Sequence, residues 1–337
     1  MKIIILFISL FALLFGGETL KIATYNVENL FDLQKSGDEY KEYIPNTEAL
    51  WNSRNYKIKL KNLSRVIKEI DADIIALEEI ESQQAFDDLH FQLKRDGLYY
   101  PYTKFANRKD TTIKVGIFSK IPFSYTKELT VGYAMAFRNI LEVKVKVQDE
   151  ELYIFVNHWK SKVGPESQRI TYAKALKKRV AELGAKNIIA LGDFNSHYEE
   201  YKTFQRKRKL NDTDGITGIN HILGTIKHQK NARETQNFNP EEFYNLWYDI
   251  PEDQRFSYVY KGNKEALDNI LVSSSLLDKK GLDYKNNSIT QYAPKYLFNG
   301  KYPYRWQMSR GKVYKHKGKG YSDHLAVIAE FTLNTNQ

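Results

Sequence analysis

Two periodicities alternate along the chain, and each predicts a different kind of element. Over 138–147, RNILEVKVKV places Leu141, Val143, Val145 and Val147 on one face and Glu142, Lys144 and Lys146 on the other. A period of two with one polar face describes a half-buried strand. LYIFVNHW at 152–159 follows after a short polar turn, so the two segments predict an antiparallel hairpin. LKIATYNV (20–27), ADIIALEE (72–79), VGIFSKIPF (115–123), NIIALGDFN (187–195), EALDNILVS (265–273) and HLAVIAEFTL (324–333) are further apolar runs of strand length. The spacing becomes helical twice. Ile58, Leu63, Val66, Ile67 and Ile70 recur on one face between Asn55 and Ile70, and Ile170, Ala173, Leu176, Val180 and Leu183 do so between Gln168 and Leu183. Helix–strand units mixed with antiparallel hairpins predict an α/β fold of four layers, two mixed β-sheets packed face to face with helices outside. The segment 197–250 is polar, aromatic and weakly periodic, and supports no assignment.

The first residues change the picture of where the protein works. Lys2 is followed by an apolar run from Ile3 to Phe15, and Gly16 and Gly17 precede the polar Glu18. That order is the order of a secretory signal, and the run is short for crossing a bilayer. The expected organisation is a signal peptide at 1–17 and one domain over 18–337, exported to the periplasm or secreted. No stable membrane span is expected once the signal is removed, and no protein partner is predicted. The chain has no cysteine, which excludes disulfides and thiol catalysis. Its formal net charge of +10 favours anionic partners without specifying which.

The polar residues that interrupt or close the apolar strands carry the chemistry. Asn26 and Glu28 stand two apart in TYNVEN, and period-two alternation puts them on one side of the strand. Glu78 and Glu79 end IIALEE, His158 ends IFVNH, Asp193 and Asn195 follow IIALG, Asp268 interrupts EALDNILV, and Asp323 and His324 open the last strand. Strand ends in an α/β scaffold bring distant residues together. Oxygen donors with two histidines and no thiolate suit Mg²⁺, Mn²⁺ or Ca²⁺, and that combination fits hydrolysis of a phosphate ester.

In order, TYNVENLF, IIALEEIE, VNHWKSK, LGDFNS, LDNILVS and YSDHLAV resemble the motifs of the endonuclease/exonuclease/phosphatase superfamily, with its DNase I-like fold, from residue 20 to about 331. The resemblance implies that Glu79 is the principal metal ligand, with Asn26, Glu28 and Asp323 near the metal directly or through water. It implies a carboxylate–imidazole pair of Asp268 and His324, and a phosphate contact by His158. Asp193 and Asn195 would position the attacking water, with the general base either Asp193 or His324. Glu78 departs from the pattern where Gln is frequent, and Asn269 where His or Tyr is common.

Between 285 and 322 the sequence carries nine Lys and Arg residues, eight aromatics and no acid. Cations neutralise backbone phosphates and aromatic rings stack on bases, so Arg305, Lys317 and Lys319, with Lys160 and Lys162 beside His158, are expected to bind substrate. The wording NHWKSK resembles that of bacterial secreted nucleases of the superfamily. The expected function is an exported, metal-dependent endonuclease that hydrolyses phosphodiester bonds of DNA, with RNA as a second candidate, at low sequence specificity. By resemblance its products would carry 5′-phosphate and 3′-hydroxyl ends. The alternative is a phosphodiesterase or phosphatase of the same superfamily acting on sphingomyelin or phosphoinositides.

Overall fold

Thr19–Leu30 forms β1, the centre of the first sheet. The structure is a computed structural model that describes residues 19–334, apart from 109, 133–136, 205–208 and 235–237. The expected signal peptide at 1–17 therefore lies outside the described residues. β1 pairs in parallel with β2 (Ile74–Ile80), which runs antiparallel to β4 (Lys114–Ser119), and β3 (Tyr102–Phe105) lies at that edge. On its other side β1 pairs antiparallel with β19 (Val327–Asn334), which also holds β13 (Gly281–Tyr284) and β14 (Thr290–Gln291).

The second sheet follows the order β5 (Phe123–Leu129), β6 (Ile140–Val147), β7 (Glu150–His158), β8 (Asn187–Asp193), β12 (Asp268–Val272) and β9 (Tyr244–Asn245). β7 and β8 are parallel and the other neighbours antiparallel, so both sheets are mixed, as predicted. The predicted hairpin of β6 and β7 is present. The predicted run 115–123 is two strands, because the chain turns between Ser119 and Phe123, where Ser119 Oγ donates to the Ile121 carbonyl. Short hairpins complete the loops: β10 (Tyr258–Tyr260) with β11 (Asn263–Glu265), β15 (Phe298–Asn299) with β16 (Tyr302–Pro303), and β17 (Met308–Ser309) with β18 (Lys315–His316).

Helices α1 (Ser53–Ile70) and α2 (Gln83–Arg95) pack with the outer face of the first sheet, and α3 (Glu166–Leu183) with that of the second. Asn52 and Ser82 cap α1 and α2 by accepting from the amides of Asn55 and Ala85. The inner faces form the central apolar layer, with Ile22, Ile74, Ala76, Val115 and Ile117 on one side and Val143, Ile154, Val156, Leu191 and Ile270 on the other. The expected sandwich with helices outside is the observed one.

This alternation places the site. Continued in steps of two, the inward positions of β2, β7, β8 and β12 become Glu78, His158, Asp193 and Asp268, and that of β1 becomes Asn26 after Thr24. Registers align them: Asn26 faces Glu78, while His158, Asp193 and Asp268 lie side by side across three strands. A slip of one residue would turn each to the opposite face. Gly192 fits this crowding, because a Cβ there would lie 2.0 Å from the Asn157 carbonyl oxygen and φ is +129°.

Candidate active site

Asn26 links the two sheets through its side-chain amide. Nδ2 donates to Glu79 Oε1 and to Asp193 Oδ2, both at 3.1 Å. Glu79 reaches this point because the β2 ladder is interrupted between Glu78 and Ile80, and its own φ is +66°. The Asn29 amide donates to the other Glu79 oxygen at 3.0 Å. Asp193 accepts from the amide of Asn195 at 2.8 Å and from its Nδ2 at 3.1 Å, and Asn195 Nδ2 also donates to the Trp159 carbonyl.

His324 Nδ1 lies 2.7 Å from Asp268 Oδ2. Ser322 ties this pair to the first sheet, donating to the Asn26 carbonyl and accepting from the His324 amide. Burial disfavours charge on His324, but Asp268 more than reverses this and holds its pKa well above the usual histidine range. His158 is displaced the other way, by burial and then by Arg138, so its imidazole stays neutral. Its Nε2 is 3.7 Å from Asp193 Oδ2 and 3.8 Å from Glu79 Oε1, too far for hydrogen bonds and open to a ligand between them.

A divalent cation fits this arrangement. Glu79, His158 and Asp193 bring one donor atom each within 4.8 Å of one another, as do Asp193, Asp268 and His324. Burial and Asp323 raise the Glu79 pKa; burial, reinforced by Asp268 against the opposing His324, raises that of Asp193. These carboxylates repel one another's charge, and a hard cation would relieve the repulsion.

Over residues 21–332 the sequence matches the Endonuclease/Exonuclease/phosphatase family. The chain belongs to that family. Members of the endonuclease/exonuclease/phosphatase family hydrolyse phosphoester bonds. Comparison with curated protein sequences finds no match. Among solved structures, Danio rerio TDP2 complexed with single-strand DNA product superposes with a TM-score of 0.56 at 14% identity, covering 94% of this chain and 99% of that one. Truncated Caenorhabditis elegans TDP2 gives 0.54 at 14%, covering 93% and 97%. A Bacteroides thetaiotaomicron mannosyl-6-phosphatase gives 0.52 at 16%, covering 93% and 100%. The shared feature is the DNase I-like fold.

Within this family framework, the structure gathers Asn26, Glu79, His158, Asp193, Asn195, Asp268 and His324 at one end of the sandwich, and Asp323 lines the same cleft. Glu28 does not line that cleft. Left-handed φ values of +52° at Glu28 and +59° at Asn29 end the alternation on which the same-side expectation rested. Its carboxylate instead accepts from Arg305 and from the Trp306 amide. Arg305 is thus engaged within the protein. Lys162 lines the cleft but is ion-paired with Glu200 at 2.7 Å and Glu265 at 2.8 Å. Lys317 and Lys319 are exposed outside the residues that line the cleft. Lys160 lies close enough to Arg138 that, after burial, this neighbour lowers its pKa.

Glu78 points between the sheets, accepting from Thr24 Oγ1 at 2.7 Å, with its pKa held well above the carboxylate range by burial and then Asp268. Asn269 braces the loops, donating to the Ser196 and Leu267 carbonyls and accepting from Asn245. Sequence reasoning missed Arg138, which lines the cleft and donates to the Trp159 carbonyl at 3.2 Å. Its signal was its place at the head of RNILEVKVKV, because β6 starts at the end of the sheet where its antiparallel neighbour β7 finishes with His158.

Proposed function

We propose that this family member is an exported, divalent-metal-dependent endonuclease cleaving DNA, with RNA as a second substrate, at low sequence specificity. The observation that carries the proposal is the composition of a cleft of about 550 Å³. It combines Glu79, Asp193, Asp323, His158 and His324 with the cation Arg138 and with Tyr40, Tyr258 and Tyr260. Tyr260 is 51% exposed and Tyr40 36%, so both rings offer faces on which bases can stack. The single-strand DNA product in the Danio rerio TDP2 structure is consistent with such a substrate. The order of residues 2–17, that of a secretory signal, supports export.

Glu79 would hold the metal, with Asp193 and Asp323 completing the anionic set and Asn26 fixing the separation of Glu79 and Asp193. When bound, a divalent cation supplies Lewis-acid charge beside the phosphoryl oxygens. Asp193, oriented by Asn26 and Asn195, orients the attacking water. His324 presents positive charge to the phosphate while Asp268 holds its Nδ1 side. Neutral His158 and the Arg138 guanidinium contact the phosphate oxygens.

The test is nicking of supercoiled plasmid by residues 18–337 with Mg²⁺, Mn²⁺ or EDTA, alongside structured RNA, sphingomyelin and inositol phosphates. Metal-dependent nicking that disappears in Asp268→Asn/His324→Ala is expected. Release of phosphocholine or phosphate with intact plasmid would reassign the substrate to the lipid class.

A further inference from the structure

Two carboxylates next to the catalytic cleft already have a cation of the protein's own. Glu28 is buried, and both its oxygens are engaged: Oε1 by Arg305 Nε at 2.9 Å and Nη2 at 2.6 Å, Oε2 by the Trp306 amide at 2.8 Å. Arg305 Nη2 also lies 3.4 Å from Asp323 Oδ2. A second cation supports the arrangement from beneath, since buried Lys59 donates to the carbonyls of Glu28 at 3.0 Å and Tyr321 at 2.7 Å. Glu79 and Asp193 differ: their hydrogen-bond donors are the neutral Asn26, Asn29 and Asn195. The charge that calls for an external cation is therefore on the Glu79 side.

The backbone that carries Arg305 is closely packed, although its side chain is half exposed. Trp306, next in the chain, is buried against Trp51 with ring centroids 6.2 Å apart, and its Nε1 donates to His316 Nδ1 at 2.7 Å. Gly320, with φ of +93°, passes so close that a Cβ would lie 2.0 Å from the Arg305 carbonyl oxygen. Asp323 lines both the catalytic cleft and the adjoining pocket that contains Arg305, so it stands between the two cationic positions.

We propose that Arg305 takes the place of a second divalent cation: its guanidinium, fixed across Glu28 and Asp323, limits the site to one metal ion on the Glu79 side. The inference rests on the metal-dependent function proposed above and adds that Glu28 is not a ligand. A planar guanidinium binding a carboxylate through two nitrogens is a directional substitute for a spherical ion. It positions Asp323 without demanding a hydration shell.

Binding of Mn²⁺, followed by electron paramagnetic resonance and calorimetry without substrate, tests this. Wild-type protein is expected to saturate at one ion. Arg305→Ala is expected to gain a second, weaker ion, and Glu28→Gln/Arg305→Ala to lose it again. Two ions in the wild type, or no change in Arg305→Ala, would overturn the proposal. Should Arg305→Ala fail to fold, Glu28→Gln decides. Retained single-ion affinity supports the proposal, whereas a loss of about tenfold or more, the size expected for disturbing a metal's ligand shell, overturns it. No Mn²⁺ binding by any form would remove the metal-dependent function and this inference together; binding that requires Glu28 would remove only the inference.

Discussion

Asp268 and His324, 56 residues apart, meet at 2.7 Å with both side chains buried. Three hydrogen bonds to two further residues fix the encounter: the Asp268 amide donates to Ser257 Oγ, the Leu325 amide to the Ser257 carbonyl, and the Asp268 carbonyl accepts from Trp247 Nε1. The Asp268 carboxylate raises the pKa of an imidazole that burial alone would lower.

Removing the partner should therefore show first in His324. In wild-type protein its imidazole should hold its proton beyond the ordinary histidine range, and in Asp268→Asn it should lose it at lower pH. Stability contributed by the raised pKa is complete below the unfolded value and is lost as pH climbs through the folded one. Nitrogen-15 NMR of the imidazole measures the shift, and kcat should fall by about 10²–10⁴-fold. His324→Ala should remain folded without turnover. An unchanged imidazole titration in Asp268→Asn would refute the coupling.

Glu78 predicts a pH-dependent cost of the apo fold. Burial, then Asp268, holds its proton on in the folded state, whereas the unfolded chain releases it in the ordinary carboxylate range. Folding thus takes up a proton, and stability declines as pH rises above that range. Glu78→Gln should flatten the decline, raising Tm near pH 8 by about 2–4 °C for each 1 kcal/mol recovered, and by less near pH 5. Thermal unfolding in EDTA across that interval tests the sign; a larger benefit at pH 5 would contradict it.

Metal addition should stabilise the fold in a pH-dependent way. A ligand at one hundred times its Kd adds about 2.7 kcal/mol. Because Glu79 and Asp193 hold protons more tightly than ordinary carboxylates, the gain with Mg²⁺ should shrink as pH falls. Glu79→Gln should abolish it. Calorimetric Tm with and without Mg²⁺ at several pH values would show whether it does.

Arg138 and Lys317 should separate under salt. If Arg138 contacts a backbone phosphate in the cleft, Arg138→Ala should weaken DNA binding and lower the salt slope by about one. Lys317→Ala, outside the cleft-lining set, should change neither appreciably. His324→Ala, expected to lack turnover, provides a background for binding measurements. Equal effects of the two substitutions would mean that the outer basic loop also follows the nucleic acid.

Much of the candidate site was legible because strand alternation is strictly local. His158, Asp193 and Asp268 each continue an inward apolar series by two residues, and Asn26 continues that of Leu20 and Ile22 past Thr24, so their appearance at one end of the sandwich needs only correct registers. Helix α2 was legible in principle: Ser82 supplies its cap, and Ala85, Phe86, Leu89 and Leu93 form its buried stripe. The segment 197–250 resisted assignment because its order comes from scattered turns and side-chain bonds, such as Asn220 with the Tyr198 carbonyl and Asn245 with Asn269.

By itself the sequence determined the alternation of strands and helices, the inward face of each strand, and the chemical type of the residues at their ends, because those depend on periods of two and 3.6. Only the tertiary structure decided which charges are free to act. Glu28 and Arg305, 277 residues apart, neutralise each other, Lys162 is bound by two carboxylates, and Arg138 enters the cleft instead. A charge acts through distance and desolvation, and neither is written in the spacing of residues along a chain.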